Sequence, residues 1–143
     1  MDIAHLIADR AAGAIVTCTH TDSVRDAVAL LASKRIGAIP VMDGGKVAGI
    51  FSERDVLYRL AEEGALCLDR AVGEVMTSPA ITCTPETSAN AALGLMTKRR
   101  IRHLPVVDGD RMVGFISIGD IVKGRIDEVT FEAEQMRQYI QTA

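Results

Sequence analysis

Two short stretches place a hydroxyl three residues ahead of a carboxylate. Ser52 and Asp55 do so in "GIFSERD", and Ser117 and Asp120 in "GFISIGD". Such a pair can cap a helix: the hydroxyl accepts the N3 amide and the acid sits at the positive end of the dipole. It can also bind. A strand–helix junction leaves backbone amides free for a phosphate, and a carboxylate beside it can accept hydrogen bonds from two sugar hydroxyls. Two details favour binding. Gly49 and Gly114 interrupt apolar runs that read as strands, where glycine is costly unless something must approach closely. The acid is Asp both times, although capping boxes prefer Glu or Gln.

The elements that position these groups are written twice. Val16–Leu60 aligns without a gap on Ile81–Arg125 at a constant offset of 65 residues, with about a third of positions identical. "AIVTC" and "AITCT" read as strands. Helices start near Thr21, Asp22 and Ser23, and near Thr87 and Ser88. Their apolar faces are Val24, Ala27, Val28 and Leu31, matched by Ala89, Ala92, Leu93 and Met96. "AIPVMD" and "HLPVVD" alternate as strands, "DGGK" and "DGDR" are hairpin turns, and "VAGIF" and "MVGFIS" are the returning strands. A second helix opens at each Ser of the Ser–Asp motif. The unit is β-α-β-β-α, repeated. "DIAHLIADRAAG" and "LDRAVGEVMTSP" form a preface to each unit, and Pro79 ends a helical turn in the second. The predicted organisation is an α+β chain. Residues 1–63 form the first unit with its preface, 64–125 the linker, preface and second unit, and 126–143 a C-terminal helix. The linker near residues 64–72 is too short and apolar for a loose tether. The halves should therefore dock about a pseudo-two-fold axis and share a cleft.

Composition narrows the function. The 143 residues carry a net charge of −3 with 3% aromatics and no Trp, which disfavours nucleic acid and anionic membranes as partners. No stretch approaches a membrane span and the N-terminus lacks a signal core, so the chain reads as cytoplasmic. Cys18, Cys67 and Cys83 form no CxxC, and the first and last sit in matching "TCT" triplets, as expected of small buried strand residues. His5, His20 and His103 show no metal-ligand spacing, so no metal site is expected. No nucleophile–base pair or phosphate-binding glycine loop stands out, so no catalytic residues are assigned.

The paired units, the runs "IPVMDGGKVAGIFSERD" and "LPVVDGDRMVGFISIGD", and the "VMTSP" preface together resemble a tandem CBS-domain pair, or Bateman module, over residues 3–125. The resemblance implies a stand-alone regulatory module that binds an adenine nucleotide. AMP is favoured over ATP, ADP, NAD(H) or S-adenosylmethionine, and no other cofactor is required. It implies ribose contacts from Asp55 and Asp120, ribose or phosphate contacts from Ser52 and Ser117, and Ile50 and Phe115 flanking the nucleoside. Gly37 and Ala38 in one copy, and Arg102 and His103 in the other, would line the site. Ala14, Ile15, Met76, Thr77 and Ala80 would lie near adenine. It also implies a homodimer acting on a regulated protein partner.

The two copies differ in charge. "KRRIRH" packs Lys98, Arg99, Arg100, Arg102 and His103 together, whereas "SKRIGA" has only Lys34 and Arg35. Arg102 and His103 are expected to face phosphate, with Arg54 compensating in the first copy. The pocket containing Arg102 is expected to be the tighter, with Asp120 as its acid. In the tail, Ile126, Val129, Ala133, Met136 and Ile140 recur at spacings of three and four, an a/d seam. This helix either packs back on its own module or forms a seam for a partner. A purely structural dimer or nucleic-acid accessory protein is the alternative class, and an enzyme a further rival.

Overall fold

The hydroxyls of Ser23 and Ser88 accept the amides of Asp26 and Ala91 at 3.1 and 3.0 Å, and each starts the first helix of its repeat. The structure, a computed structural model, describes residues 1–10 and 15–142. Its elements are α1 (Ile3–Ile7), β1 (Cys18–Thr19), α2 (Val24–Lys34), β2 (Ala38–Asp43), β3 (Lys46–Ser52), α3 (Glu53–Glu63), α4 (Val72–Val75), α5 (Ala89–Arg99), β4 (His103–Asp108), β5 (Arg111–Ser117) and α6 (Ile118–Thr142). The architecture is the expected mixture of helix and strand in two units with a C-terminal helix.

The repeat survives in detail. β2 pairs antiparallel with β3, as β4 does with β5, and each hairpin carries a bulge, at Val41/Met42 and at Val106/Val107. These positions are equivalent in the two repeats. The turns need positive φ, supplied by Gly44, Gly45 and Gly109. The first strand is shorter than the sequence suggests. β1 pairs in parallel with β2 through only Cys18 and Thr19, and its counterpart is a single bridge from Cys83 to Val106. Two residues suffice because Cys18 and Cys83 are already buried against those strands.

Each core is built from equivalent positions. Val24, Ala27, Leu31, Ile39, Val41 and Phe51 fill the first, and Ala89, Ala92, Met96, Leu104, Val106 and Ile116 the second. Full burial of each large side chain is worth about 1.5–3 kcal/mol. The prefaces are exchanged. Ile3 of α1, at the start of the chain, is buried in the core of the second unit, while Val72 and Val75 of α4 complete the first. Ile3 N–H donates to the Thr87 carbonyl and Ala89 N–H to that of Met1; Val24 N–H donates to the Arg70 carbonyl and Val72 N–H to that of Asp22. The exchange is reciprocal, as a pseudo-two-fold arrangement requires.

The linker is no tether: a 3-10 segment, Gly64–Asp69, buries Cys67 completely. α6 is one helix from Ile118 to Thr142, without a break at 126. Beyond Glu128 every described residue of it is exposed, so the tail does not pack back on its own module.

Candidate functional site

At the β3–α3 junction, capping and presentation of a carboxylate coexist. Ser52 Oγ accepts Asp55 N–H at 3.3 Å, and Ser52 N–H donates to Asp55 Oδ2 at 2.9 Å, which completes a capping box. The other oxygen, Oδ1, accepts the Thr77 hydroxyl at 2.9 Å. Thr77 is fixed there because its backbone exchanges two hydrogen bonds with Ile50, both 2.9 Å. That approach explains Gly49. A Cβ there would lie 2.6 Å from the Thr77 carbonyl oxygen and 2.8 Å from Met76 Sδ. The close neighbour anticipated from the glycine is thus the preface of the second unit.

A cleft of about 1160 Å³ opens beside Asp55, between the units. It gathers Gly37, Ala38, Ile50, Ser52, Arg54, Asp55, Thr77, Ala80, Arg102 and His103 from the sequence-derived set. Apolar walls come from Ile36, Ile81 and Ile101. Four arginines, Arg35, Arg54, Arg100 and Arg102, outnumber the two acids, Glu53 and Asp55, although the chain as a whole is acidic. Arg35 and Arg100 were not among the anticipated contacts. Each ends its helix in the left-handed conformation, with φ of 53° and 55°, at equivalent repeat positions, and the doubled "KRI"/"RRI" was the available signal. Arg54 Nη1 donates to the Arg100 carbonyl at 3.2 Å, bridging the two units.

The second junction differs. Ser117 N–H donates to Asp120 Oδ2 at 2.8 Å and Ser117 Oγ accepts Asp120 N–H at 3.1 Å. Its carboxylate is taken by Arg10, with Nη2 2.9 Å from Oδ1, and Arg10 Nη1 also reaches the Phe115 carbonyl at 3.4 Å. Burial pushes the Asp120 pKa up, but the Arg10 bonds and the Ser117 amide outweigh it and hold the carboxyl below the usual range. Phe115 is stacked on His103, rings 5.4 Å apart and 12° from parallel. Gly114 makes room for Ile7, whose Cγ2 would lie 2.9 Å from an added Cβ.

Several expected placements change accordingly. Arg102 and His103 line the cleft of Asp55, because the connection from α5 into β4 opens onto the first unit, where Arg54 reaches the Arg100 carbonyl. Phe115, Ser117 and Asp120 do not line that cleft, nor does Ile15. Met76 faces a separate cavity of about 300 Å³ with His20, Asp43 and Glu74. Ala14 lies outside the described residues. Lys98 and Arg99 are exposed on α5, away from the cleft.

Chemically, the Asp55 cleft can accept polyol hydroxyls at a carboxylate, enclose an apolar ring and hold an anion. Its frame matches a known family. The family model of the CBS domain matches residues 11–62 and again 72–127. The chain belongs to the CBS-domain family. It is 39% identical over 134 residues to the mitochondrial CBS domain-containing protein CBSX3 of Arabidopsis thaliana, covering 90% of this chain and 65% of that protein. It is 40% identical over 111 residues to inosine-5'-monophosphate dehydrogenase of Mycobacterium leprae, covering 76% of this CBS pair but only 20% of the enzyme. Among solved structures, a protein with CBS domains from Burkholderia ambifaria superposes with a TM-score of 0.81 at 38% identity, covering 89% of this chain and 95% of that one. The CBS pair of protein MJ0100, solved with 5'-methylthioadenosine and S-adenosyl-L-methionine, superposes with a TM-score of 0.68 at 28% identity, covering 76% and 89%. Among the described residues, no helix of this CBS pair is long and apolar enough to cross a membrane.

Proposed function

We propose that this CBS pair is a regulatory module that binds one adenine nucleotide, AMP foremost, in the Asp55 cleft. The observation that carries the reading is one cleft holding Asp55, Thr77 and four arginines. Asp55 accepts hydrogen bonds from the ribose hydroxyls, and the Thr77 oxygen, whose hydrogen goes to Asp55, accepts another. Ile36, Ile81 and Ile101 enclose the base, and the arginines meet the phosphate, which carries nearly two negative charges at neutral pH. Arg54 already ties the units together through Arg100, so a phosphate competing for that guanidinium alters their coupling, and a partner reads the change.

A second reading has its own support. The MJ0100 pair was solved with adenosyl ligands bearing no phosphate. The arginine excess favours an anion over the cationic sulfonium of S-adenosylmethionine. Calorimetry with AMP, ADP, ATP, NAD(H) and S-adenosylmethionine, beside mass spectrometry of whatever co-purifies, separates these ligands. AMP recovered unaltered after incubation is expected of a sensor, whereas steady turnover would identify an enzyme. Absence of binding by all five ligands would overturn the proposal.

A further inference from the structure

α6 continues well past the second unit with an apolar stripe left uncovered. Val122, Ile126, Val129, Met136 and Ile140 are between 47% and 68% exposed, and Ala133 is exposed with them. With Ile126 at heptad position a, these fall on d, a, d, d, a and a, one continuous seam about 27 Å long at 1.5 Å per residue. The helix is oriented to offer it. Ile121 and Gly124, at c and f, face the module: Ile121 is fully buried, and a Cβ on Gly124 would meet Leu6 Cδ2 at 2.5 Å. Positions c and f lie opposite a and d, so the seam points away from its own module. A largely solvated helix of this kind draws its stability from covering its apolar face.

Charge selects the occupant. Glu132 falls at g and Arg137 at e, five residues apart, the spacing at which g of one helix meets e of another in a parallel pair. Two copies in register make this pair twice. An antiparallel pair overlapping the same seam sets Glu132 against its own copy. We infer that the α6 tails of two copies of this chain pair in parallel through Val122–Ile140, with Glu132 of each facing Arg137 of the other. Phe131, at f, stays outside the seam.

Sedimentation of the full chain measures this directly. The expected mass is twice that of the monomer. Ile126→Asp combined with Met136→Asp should give monomers that still fold, because both sites are solvent-facing in the single chain, with a Tm that no longer rises with protein concentration as that of the wild type does. Glu132→Arg alone should weaken the dimer, and adding Arg137→Glu should restore it. Ile140→Cys should cross-link to its own copy on mild oxidation, the three native cysteines being buried. A monomeric wild type, a dimer that survives the two seam aspartates, or an Ile140→Cys protein that cross-links only to a Val122→Cys partner would each overturn the inference.

Discussion

Arg10 closes on Asp120 at 2.9 Å, while Asp55, the equivalent residue of the first repeat, holds the hydroxyl of Thr77 instead. One junction is therefore neutralised by a cation of the same chain and the other is not. Asp120 can accept a ribose only after Arg10 withdraws. Arg10→Ala is expected to raise the stoichiometry from one nucleotide per chain to two in calorimetry. Because the pair is partly exposed, stability should fall by no more than about 1 kcal/mol. A stoichiometry that stays at one would remove Arg10 as the barrier.

The same asymmetry ranks the two acids. Asp55→Asn should weaken the main binding event about 10- to 100-fold, the worth of charge-assisted hydrogen bonds lost from a carboxylate. Asp120→Asn should leave it nearly unchanged. Equal losses from the two variants would show that the cleft is shared between both junctions. Melting curves control for the loss at the helix start, about 1 kcal/mol in each.

Arg100 separates stability from binding. Its left-handed backbone costs a side-chain-bearing residue about 1–2 kcal/mol, which glycine relieves, less the entropy that glycine restores to the unfolded chain. Arg100→Gly should melt at the same temperature or higher, and keep the carbonyl that Arg54 uses, yet bind AMP several-fold more weakly. Undiminished affinity would exclude the Arg100 guanidinium from the phosphate site.

The fold was legible because the chain repeats itself: one offset of 65 residues aligns cores, bulges, caps and Ser–Asp motifs alike. What the repeat could not convey is which surfaces face each other. Arg102 belongs to the second copy in sequence, but its cleft is set by how the α5–β4 connection meets the first unit, a long-range relation with no local signature. The exchanged prefaces hid in the same way. Gly49 and Gly114 did announce a close neighbour, and only the packing identified those neighbours as Thr77 and Ile7. Arg10 lies in the preface, whose helical pattern gave no reason to pair it with a residue so distant in sequence.

His103 sets a pH dependence. Burial lowers its pKa; Asp120 and Glu53 pull it up and Arg102 pushes it down, and burial prevails. The fold thus favours the neutral ring. As pH falls below the ordinary histidine value of about 6.5, the unfolded chain takes the proton first. The stability contribution is full above that value and is lost as pH falls toward the folded pKa. Denaturation at pH 7.5 and 5.5 should show wild type losing more on acidification than His103→Gln. Bound phosphate should shift the imidazole midpoint upward in an NMR titration, and an unmoved midpoint would place the phosphate elsewhere.

Two glycine substitutions should act in opposite directions. At Gly49 an added methyl meets the Thr77 carbonyl oxygen, a backbone atom that cannot swing aside. Gly49→Ala must therefore push the preface strand outward and strain both Ile50–Thr77 hydrogen bonds, a loss of about 1–3 kcal/mol. At Gly94, inside α5, nothing lies within 4 Å of the added carbon, and alanine should gain about 0.5–1 kcal/mol from helix propensity. Chemical denaturation measures both. Only the first should also weaken nucleotide binding, because moving Thr77 takes its hydroxyl from Asp55. If Gly49→Ala destabilised the chain yet bound AMP normally, the Thr77–Asp55 contact would be structural and the ribose would be held by other groups.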